Sequence, residues 1–407
     1  MIGSILTLSL RNILRHKLRT GMTLAAIVIG VSGIILTGGF VQDIFVQLGE
    51  AFIHSQSGHV QVAKPQFFGA GSRRPEEFLI DDPDELKQRV AAQPGVDFAM
   101  ARLNFYGLLN NGRTDFAVVA EGIEPELEEK LGTSLRFVAG GPFKADEANS
   151  IVIGEGVAQT LKLAPGDPVT LVVSTPGGAM NTLDFNVSGV FQSFSKDYDA
   201  RAVRLSLAAA QDLLATPGAS VVVASLHRTE DTAASARHIE DAVRQQGLTV
   251  RTWQQLNDFY EKTVALYDRQ FGVLRLIILI MVLLSVTNTV NMAVFERQGE
   301  FGTLRALGNR GRDVFALVVT ESLLLGLIGA AIGIVLGAVL AVLISAIGIP
   351  MPPPPSSNVG YTAFIRLVPV VIAGAGAVGI LAALLASLLP AWKVAGTPIV
   401  DALRQNV

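Results

Sequence analysis

Four long apolar runs punctuate the chain: Met22 to Phe45, Phe271 to Phe295, Val314 to Ile347 and Leu367 to Leu389. Each reaches the roughly 20 apolar residues that a helix needs to cross a hydrocarbon core. The third, at 34 residues, is too long for one upright span and is expected to tilt or to project beyond the membrane. Before the first run, LSLRNILRHKLRT alternates Ile5, Leu8, Ile13 and Leu14 with Arg11, Arg15, Lys17 and Arg19, a basic amphipathic helix suited to an anionic membrane surface. A basic stretch followed by an apolar one is also the signature of a cleaved signal peptide. This run, however, exceeds the usual apolar region of about 7–15 residues, and no A-x-A-like site follows it. An uncleaved first span is expected.

The pattern predicts an α-helical membrane protein with four transmembrane helices and one large α/β extracytoplasmic, periplasmic domain. The expected order is a cytoplasmic amphipathic helix (1–20), a first span (21–45), the outer domain with its stalk helices (46–270) and a second span (271–295). A cytoplasmic loop (296–313), a third span (314–347), a Pro-rich outer loop (348–365), a fourth span (366–390) and a cytoplasmic tail (391–407) complete it. The four consecutive prolines of MPPPPSSN, Met351 to Asn358, forbid a helix there and predict a short, stiff connection.

Within 46–270 the periodicity changes. Val60–Ala63, Phe116–Val119, Val169–Val173, Phe185–Val190, Val221–Leu226 and Leu248–Thr252 read as strands. Pro83–Gln93, Glu155–Leu163, Ser206–Leu214 and Thr232–Gln246 read as helices, with start signals at Asp81-Asp82-Pro83 and Ser206 and stop signals at Gly95 and Gly247. Two strand–helix–strand groupings suggest two small subdomains. Residues Gln254 to Gln270 are polar, helix-prone and free of breakers, so a continuous stalk helix is expected to enter the second span and tie the outer domain rigidly to the membrane.

Composition and charge sharpen this division. Charged residues make up only 16% of the chain, against about 25% in soluble domains. Residues 46–270 hold 20 Lys and Arg against 29 Asp and Glu, a net of -9, and the remainder is +6. The asymmetry points to separate environments for the two parts and not to nucleic-acid binding. Basic residues near the span ends set the orientation: the N-terminal arm, the loop with Arg297, Arg305, Arg310 and Arg312, and the tail with Lys393 and Arg404 are expected inside, with both termini cytoplasmic. With no cysteine, a disulfide framework and thiolate metal sites are excluded. His54 and His59 are more simply read as ordinary residues at the domain base than as a metal pair.

The chemistry-bearing stretch is ERQGEFGTLRALGNRGRDV, Glu296 to Val314. Glu296 and Glu300 are one helical turn apart, and Arg297 and Arg305 two turns. Gly308 with Asn309 supplies a helix stop, and Arg310 to Asp313 a new start. A short helix between spans two and three follows, although a solvated, charge-mixed connector has the same composition. The third span carries Gly329, Gly333 and Gly337, a spacing that clears one face for close approach of another helix; glycine is also simply common in membrane helices. Glu321 lies within the same span. A carboxylate at that depth is costly, so it is either paired or snorkelling to the interface. Partners for it are the loop arginines, or Ser285, Thr287, Asn288, Thr289 and Asn291. No other intramembrane carboxylate is read, which argues against a proton-driven carrier, and pairs such as Glu128-Glu129 read as surface. No G-x-x-x-x-G-K-[ST], G-x-S-x-G or H-E-x-x-H occurs, so neither a nucleotide cradle nor a catalytic constellation is expected.

The chain resembles the lipoprotein-releasing permeases of the LolC/LolE kind and the MacB and FtsX membrane subunits. The resemblance rests on the layout and on several motifs spread over essentially the whole chain. These are the loop E-x-G-x-x-R-A-L-G (Glu300, with Glu296 one turn before it, and Gly302, Arg305, Ala306, Leu307 and Gly308), Glu321 before a Gly-rich span, and the ending PAWKVAGTPIVDALR with Pro390, Ala391, Ala395, Pro398, Ala402, Leu403 and Arg404. GEGVAQTLKLAPGDPVTL (Gly154 to Leu171), KDYD (Lys196 to Asp199) and the N-terminal LSLRNILRHKLRT are similar too. The resemblance implies mechanotransmission: a separate ABC ATPase, which binds ATP and Mg, docks on the segment Glu296–Gly308, and closure of a permease dimer moves the outer domains. The chain itself would be no enzyme and hold no cofactor. Implied partners are that ATPase, a second permease subunit as homo- or heterodimer, membrane lipids, and a lipoprotein substrate with its periplasmic carrier or adaptor. The chain departs from this pattern in two places. STPGGAMNTLD (Ser174 to Asp184) is short where one releaser subunit has a long carrier-recruiting hairpin, and no fused ATPase precedes the first span as in MacB. A lipoprotein-releasing-like system of a Gram-negative inner membrane is the first expectation. A MacB-like exporter with a periplasmic adaptor, or an FtsX-like regulator of a cell-wall hydrolase, are the alternatives.

Overall fold

The computed structural model describes residue 15 and residues 17–69, 75–132, 135–144, 147–353 and 360–398. The amphipathic arm before residue 15, the core of the Pro-rich loop (354–359) and the tail from 399, with Arg404, lie outside the described residues. The chain divides into two compact units, one of residues 1–45, 263–350 and 362–407 and one of residues 46–262 and 351–361.

The first apolar run is part of α1 (Lys17–Phe52), which continues beyond Phe45 and ends in a π-helical turn, Ile53–Ser57. Gly58, at φ +63°, closes this turn by donating its N–H to the Ile53 carbonyl at 3.0 Å.

The second unit contains β1 (Val60–Ala63), α2 (Pro83–Ala91), β2 (Val96–Asn110), β3 (Asp115–Ile123), α3 (Pro125–Leu131), β4 (Arg136–Gly140), β5 (Ser150–Gly154) and α4 (Glu155–Leu161). β6 (Pro168–Ser174), β7 (Met180–Gln192), α5 (Lys196–Asp199), β8 (Ala202–Ser206), α6 (Leu207–Leu214), β9 (Val221–Leu226), α7 (Thr232–Val243) and β10 (Thr249–Thr252) follow. The strands form one mixed sheet in the order β10-β1-β9-β2-β3-β8-β5-β7-β4, with β6 joining β2 and β7. The two expected subdomains are therefore one continuous sheet, joined by a strand that the pattern did not reveal. Val96 to Arg102 of β2 pairs with β9, whereas Leu103 to Asn110 pairs with β3. Its sequence VDFAMARLNFYGLLN lacks clean alternation because Ala99, Met100, Ala101, Arg102 and Leu103 are all buried, both faces being covered there.

Two cores flank that strand. Around β1 and β9, Val60, Val62, Val222 and Ala224 pack with Leu86 and Val90 of α2 and with Ile239 and Val243 of α7. Around β3, β5 and β8, Leu103, Phe105, Ile151, Ile153 and Leu205 pack with Val157 of α4 and Leu213 of α6. Gly122 lets α6 approach β3, since a Cβ there would stand 2.4 Å from that of Ala210. The start signals act as caps: Asp82 Oδ1 accepts the Glu85 N–H at 3.0 Å and Ser206 Oγ the Ala209 N–H at 3.2 Å.

The stalk begins later than its composition suggests. Residues Thr252–Asn257 form a turn, in which the Leu256 N–H donates to the Thr252 carbonyl at 3.1 Å. The Asn257 side chain then accepts the Tyr260 N–H at 3.3 Å, and α8 (Asp258–Glu296) runs unbroken for 39 residues. A short α9 (Gln298–Ala306), α10 (Gly311–Ile347) and α11 (Pro369–Gly396) complete the helices. Among the described residues, α1, α8, α10 and α11 are the four helices long and apolar enough to cross a membrane. At about 1.5 Å per residue, α10 exceeds a hydrocarbon core of ~30 Å by nearly a factor of two.

Close helix approach in the first unit is built on glycine. A Cβ at Gly329, Gly333 or Gly337 of α10 would stand 2.9, 2.8 and 3.2 Å from Ile27, Val31 and Ile35 of α1 respectively. Ser32 Oγ of α1 donates to the Gly333 carbonyl at 2.9 Å. Gly379 of α11 is similarly close to Val31, and Gly326 of α10 to Ala383 of α11. Without a hydrophobic force between helices in lipid, such close packing is what holds spans together.

Candidate functional site

The site forms where α8 ends. Arg297 leaves the helical region (φ −106°, ψ 14°), so α8 stops at Glu296 and α9 starts as a separate helix at Gln298. Glu296 and Glu300 thus lie on two helices and do not share one face, contrary to the one-turn spacing read from the sequence. The Arg297 side chain is folded inward and 7% exposed. Its Nε donates to Glu300 Oε2 at 3.0 Å, and its Nη1 to Glu321 Oε2 of α10 at 2.8 Å. The guanidinium carbon sits 5.0 Å from the Phe301 ring centroid. One arginine therefore ties the end of α8, the first turn of α9 and the interior of α10. The pairing reading of Glu321 holds in this structure, with a loop arginine as partner.

A cavity of about 40 Å³ beside this pair is lined by Thr20, Thr23, Thr289, Arg297, Glu321 and Ser322 among others, room and polarity for a bound water. Arg15 reaches Glu300 only at 3.7 Å, and both side chains are well exposed, so that contact contributes little.

α9 has a buried face, Gly299, Phe301 and Gly302, and an exposed end. Gly308, at φ +100°, and the Asn309 N–H donating to the Leu304 carbonyl at 3.1 Å end the helix in a left-handed cap. That cap pushes Ala306, Leu307 and Gly308 outward, with Leu307 80% exposed. Arg305 turns back and donates to the Thr397 carbonyl, and Gly311 opens α10 where a Cβ would meet the Ala395 carbonyl at 2.7 Å. Of the residues the sequence singled out, Arg297, Glu300 and Glu321 are brought together, Gly302 is on the inner face, Ala306 and Gly308 are at the tip, and Arg305 braces the tip. Gly329, Gly333 and Gly337 lie farther along α10 against α1.

Three constellations were missed. Asp43, inside the first apolar run, is 1% exposed at its side chain; it accepts the Phe364 N–H at 2.8 Å and pairs with Arg366 Nε at 2.8 Å. Glu321 is thus not the only carboxylate in a spanning helix. The polar pair Gln42-Asp43 within an apolar run was the available signal. Second, Glu128 is buried, not surface: it accepts from Arg102 Nε at 3.0 Å and Nη2 at 2.7 Å and pairs with Arg204 Nη1 at 3.3 Å. Arg204 Nε in turn donates to Glu121 at 3.0 Å, and Tyr198 donates its hydroxyl to the same carboxylate at 2.6 Å. Burial pushes the Tyr198 hydroxyl pKa well above its ordinary value. Third, these arginines reach the π-turn, Arg204 Nη2 donating to the Ser55 carbonyl at 3.1 Å and Arg102 Nη1 to that of Gln56. Position in sequence carries no signal for such long-range pairs. His54 and His59 stack edge-on at 5.9 Å, and among the described residues no group of three or more His, Cys, Asp or Glu could hold a metal. Burial, then the nearby His54, depresses the His59 pKa to about 4.

The model of the MacB-like periplasmic core domain matches residues 20–242, and that of the FtsX-like permease C-terminal matches residues 272–399. An ABC transporter permease of Methanocaldococcus jannaschii, described as uncharacterized, is 24% identical over 85% of this chain and 86% of its own. The lipoprotein-releasing system transmembrane protein LolE of Haemophilus influenzae is 25% identical over 63% of each chain. The macrolide export ATP-binding/permease protein MacB of Psychrobacter cryohalolentis is 22% identical over 82% of this chain and 51% of its own. With more than half of its residues inside the first family model, the chain belongs to the MacB/FtsX/LolC-E family of ABC transporter permeases, integral membrane proteins whose permease part works with an ABC ATPase and is not itself an enzyme.

Proposed function

We propose that the chain is the permease subunit of a mechanotransmission-type ABC system of the lipoprotein-releasing kind, in an inner membrane with both termini cytoplasmic. The observation that carries this reading is the build of α9: its inner face is locked to α10 through Arg297 and Glu321, while its tip projects Leu307 into solvent. A separate ATPase, holding ATP and Mg, seats on Ala306–Gly308. Its closure displaces α9, and the Arg297 pairs pass that displacement to α8 and α10. A second permease subunit completes the machine, and α8 and α10 carry the motion outward. The β6–β7 turn supports a refinement. It closes in five residues, with the Thr175 N–H donating to the Ala179 carbonyl at 2.8 Å, so a carrier or adaptor docks elsewhere than on this hairpin.

The test is co-purification of a separate ABC ATPase subunit with this chain. Leu307→Glu is expected to abolish ATPase association while leaving membrane insertion intact, as is the pair Arg305→Ala with Gly308→Val. Undiminished association in the Leu307 variant refutes the docking role.

A further inference from the structure

A cleft of about 490 Å³ opens in the spanning unit where α10 begins and α11 ends. Gly311, Arg312 and Phe315 of α10 and Trp392, Lys393 and Ala395 of α11 line it among others. Gly311 permits the junction, since α10 starts so close to the last turn of α11 that a Cβ there would stand 2.7 Å from the Ala395 carbonyl oxygen. Two cations from different helices thereby face one cleft.

Neither cation is neutralised within the chain. The Arg312 side chain is 70% exposed and has only a 4.0 Å contact with Asp313, whose carboxylate already accepts the Arg310 N–H at 2.8 Å. Lys393 is exposed and makes no ion pair among the described residues. No acidic side chain lines the cleft, so its charge suits a phosphate.

The surroundings select the molecule that carries the phosphate. Trp392 is 72% exposed, and the exposed Leu389, Leu385 and Leu381 precede it by three, seven and eleven residues. That spacing places all four on one face of α11. On a spanning helix such an apolar strip meets acyl chains, whereas tryptophan and basic side chains favour the headgroup level. A soluble phosphate would use the cleft and leave the strip idle. A molecule with an anionic head and hydrocarbon chains uses both.

We propose that this cleft binds the headgroup of an anionic glycerophospholipid, with the phosphate held by Arg312 and Lys393, the glycerol against Trp392 and an acyl chain along α11. Basic pockets between spanning helices hold anionic head groups in this manner. The site needs neither an ATPase nor a transported substrate, so it and the transport reading fail separately.

The experiment uses the full chain in phosphatidylcholine nanodiscs, with Trp392 fluorescence as reporter and phosphatidylglycerol brominated in its acyl chains as quencher. Trp253, the other tryptophan, is 4% exposed in the outer unit, and Trp392→Phe supplies its background signal. A basic group at a membrane surface strengthens the attraction of an anionic lipid about fivefold. Brominated phosphatidylglycerol should therefore reach half-maximal quenching at a mole fraction ~tenfold below that of brominated phosphatidylcholine. Arg312→Gln combined with Lys393→Gln should erase this preference. Lys17→Gln combined with Arg310→Gln removes two exposed charges near the starts of α1 and α10, outside the cleft, and should retain it. Equal quenching by the two brominated lipids, a preference that survives in Trp392→Phe, or one lost equally in the control pair overturns the proposal. So does a preference abolished by millimolar inorganic phosphate, which would assign the cleft to a free anion. The wild-type comparison of the two lipids stands even where a substituted chain fails to fold.

Discussion

Replacing Gly333 by alanine puts the α1–α10 contact to a quantitative test. The added Cβ would stand 2.8 Å from Val31 Cβ and 3.1 Å from the Val28 carbonyl oxygen. Carbon atoms rest at about 3.5–4.0 Å, so the two helices must part by about 1 Å or Val31 must move. Val31 is 1% exposed and β-branched, with essentially one rotamer in a helix, and has no room to yield. Parting stretches the Ser32-to-Gly333 hydrogen bond from 2.9 Å and, along the seam, forfeits about a quarter to a half of the dispersion attraction. Overpacking of this kind costs ~1–3 kcal/mol. The intrinsic gain of alanine over glycine in a helix returns ~0.5–1 kcal/mol, so a net loss of up to ~2.5 kcal/mol is expected. Gly374 of α11 is the internal control: it is exposed and a Cβ there meets nothing within 4 Å, so Gly374→Ala should show only the gain. Thermal unfolding of both purified variants in one membrane mimetic reads the difference. Shifts of the same sign would refute the close-approach argument.

Glu321→Gln leaves Arg297 with the half-exposed Glu300 as its carboxylate partner and replaces a hydrogen bond to a charged group, worth ~1.5–3 kcal/mol, by one to a neutral amide oxygen, worth ~0.5–1.5 kcal/mol; in the assembled complex, substrate-stimulated ATP turnover should fall while association persists, and wild-type turnover would count against a coupling role. Glu128→Ala strips the buried Arg102 of its carboxylate partner and Arg204 of one of its two, and should destabilise the outer unit by ~3–5 kcal/mol, whereas its exposed neighbour Glu129→Ala should stay within ~0.5 kcal/mol, as limited proteolysis of the outer unit can show. His59 is 2% exposed, accepts the Leu226 N–H at 3.2 Å and stays neutral in the fold. With its pKa at about 4 in the fold against about 6.5 when unfolded, the unfolded state takes up the extra proton between those values. Stability should therefore drop as pH falls from 7 to 4, by up to ~3 kcal/mol, and His59→Gln should flatten that slope in thermal unfolding at pH 7.5 and 5.

Some of this architecture was legible along the chain because its causes are local. The four spanning helices follow from run length alone, and Val60–Ala63 and Val221–Leu226 follow from β-branched composition with breakers at their ends. The caps at Asp82 and Ser206 and the stop at Gly308 needed only a few neighbouring residues. Where burial covers both faces, as in β2, alternation vanishes and the strand that unites the outer unit was invisible. At the end of α8, Arg297 leaves helical geometry and pairs with Glu300 and Glu321, and the spacing of Glu296 and Glu300 carried no sign of that pairing.

By itself, then, the order of residues determined the spans, the division into an apolar and an acidic part, and the segment between α8 and α10 as the place of interest. Those features depend on interactions among residues near each other in the chain, or on the chain's balance between lipid and water. Only the tertiary structure decided which carboxylates are buried, which arginine each one meets and what the glycine row of α10 faces. Arg102 with Glu128, Asp43 with Arg366 and Gly333 with Val31 are separated by 26, 323 and 302 positions, and nothing short of folding brings such groups within reach.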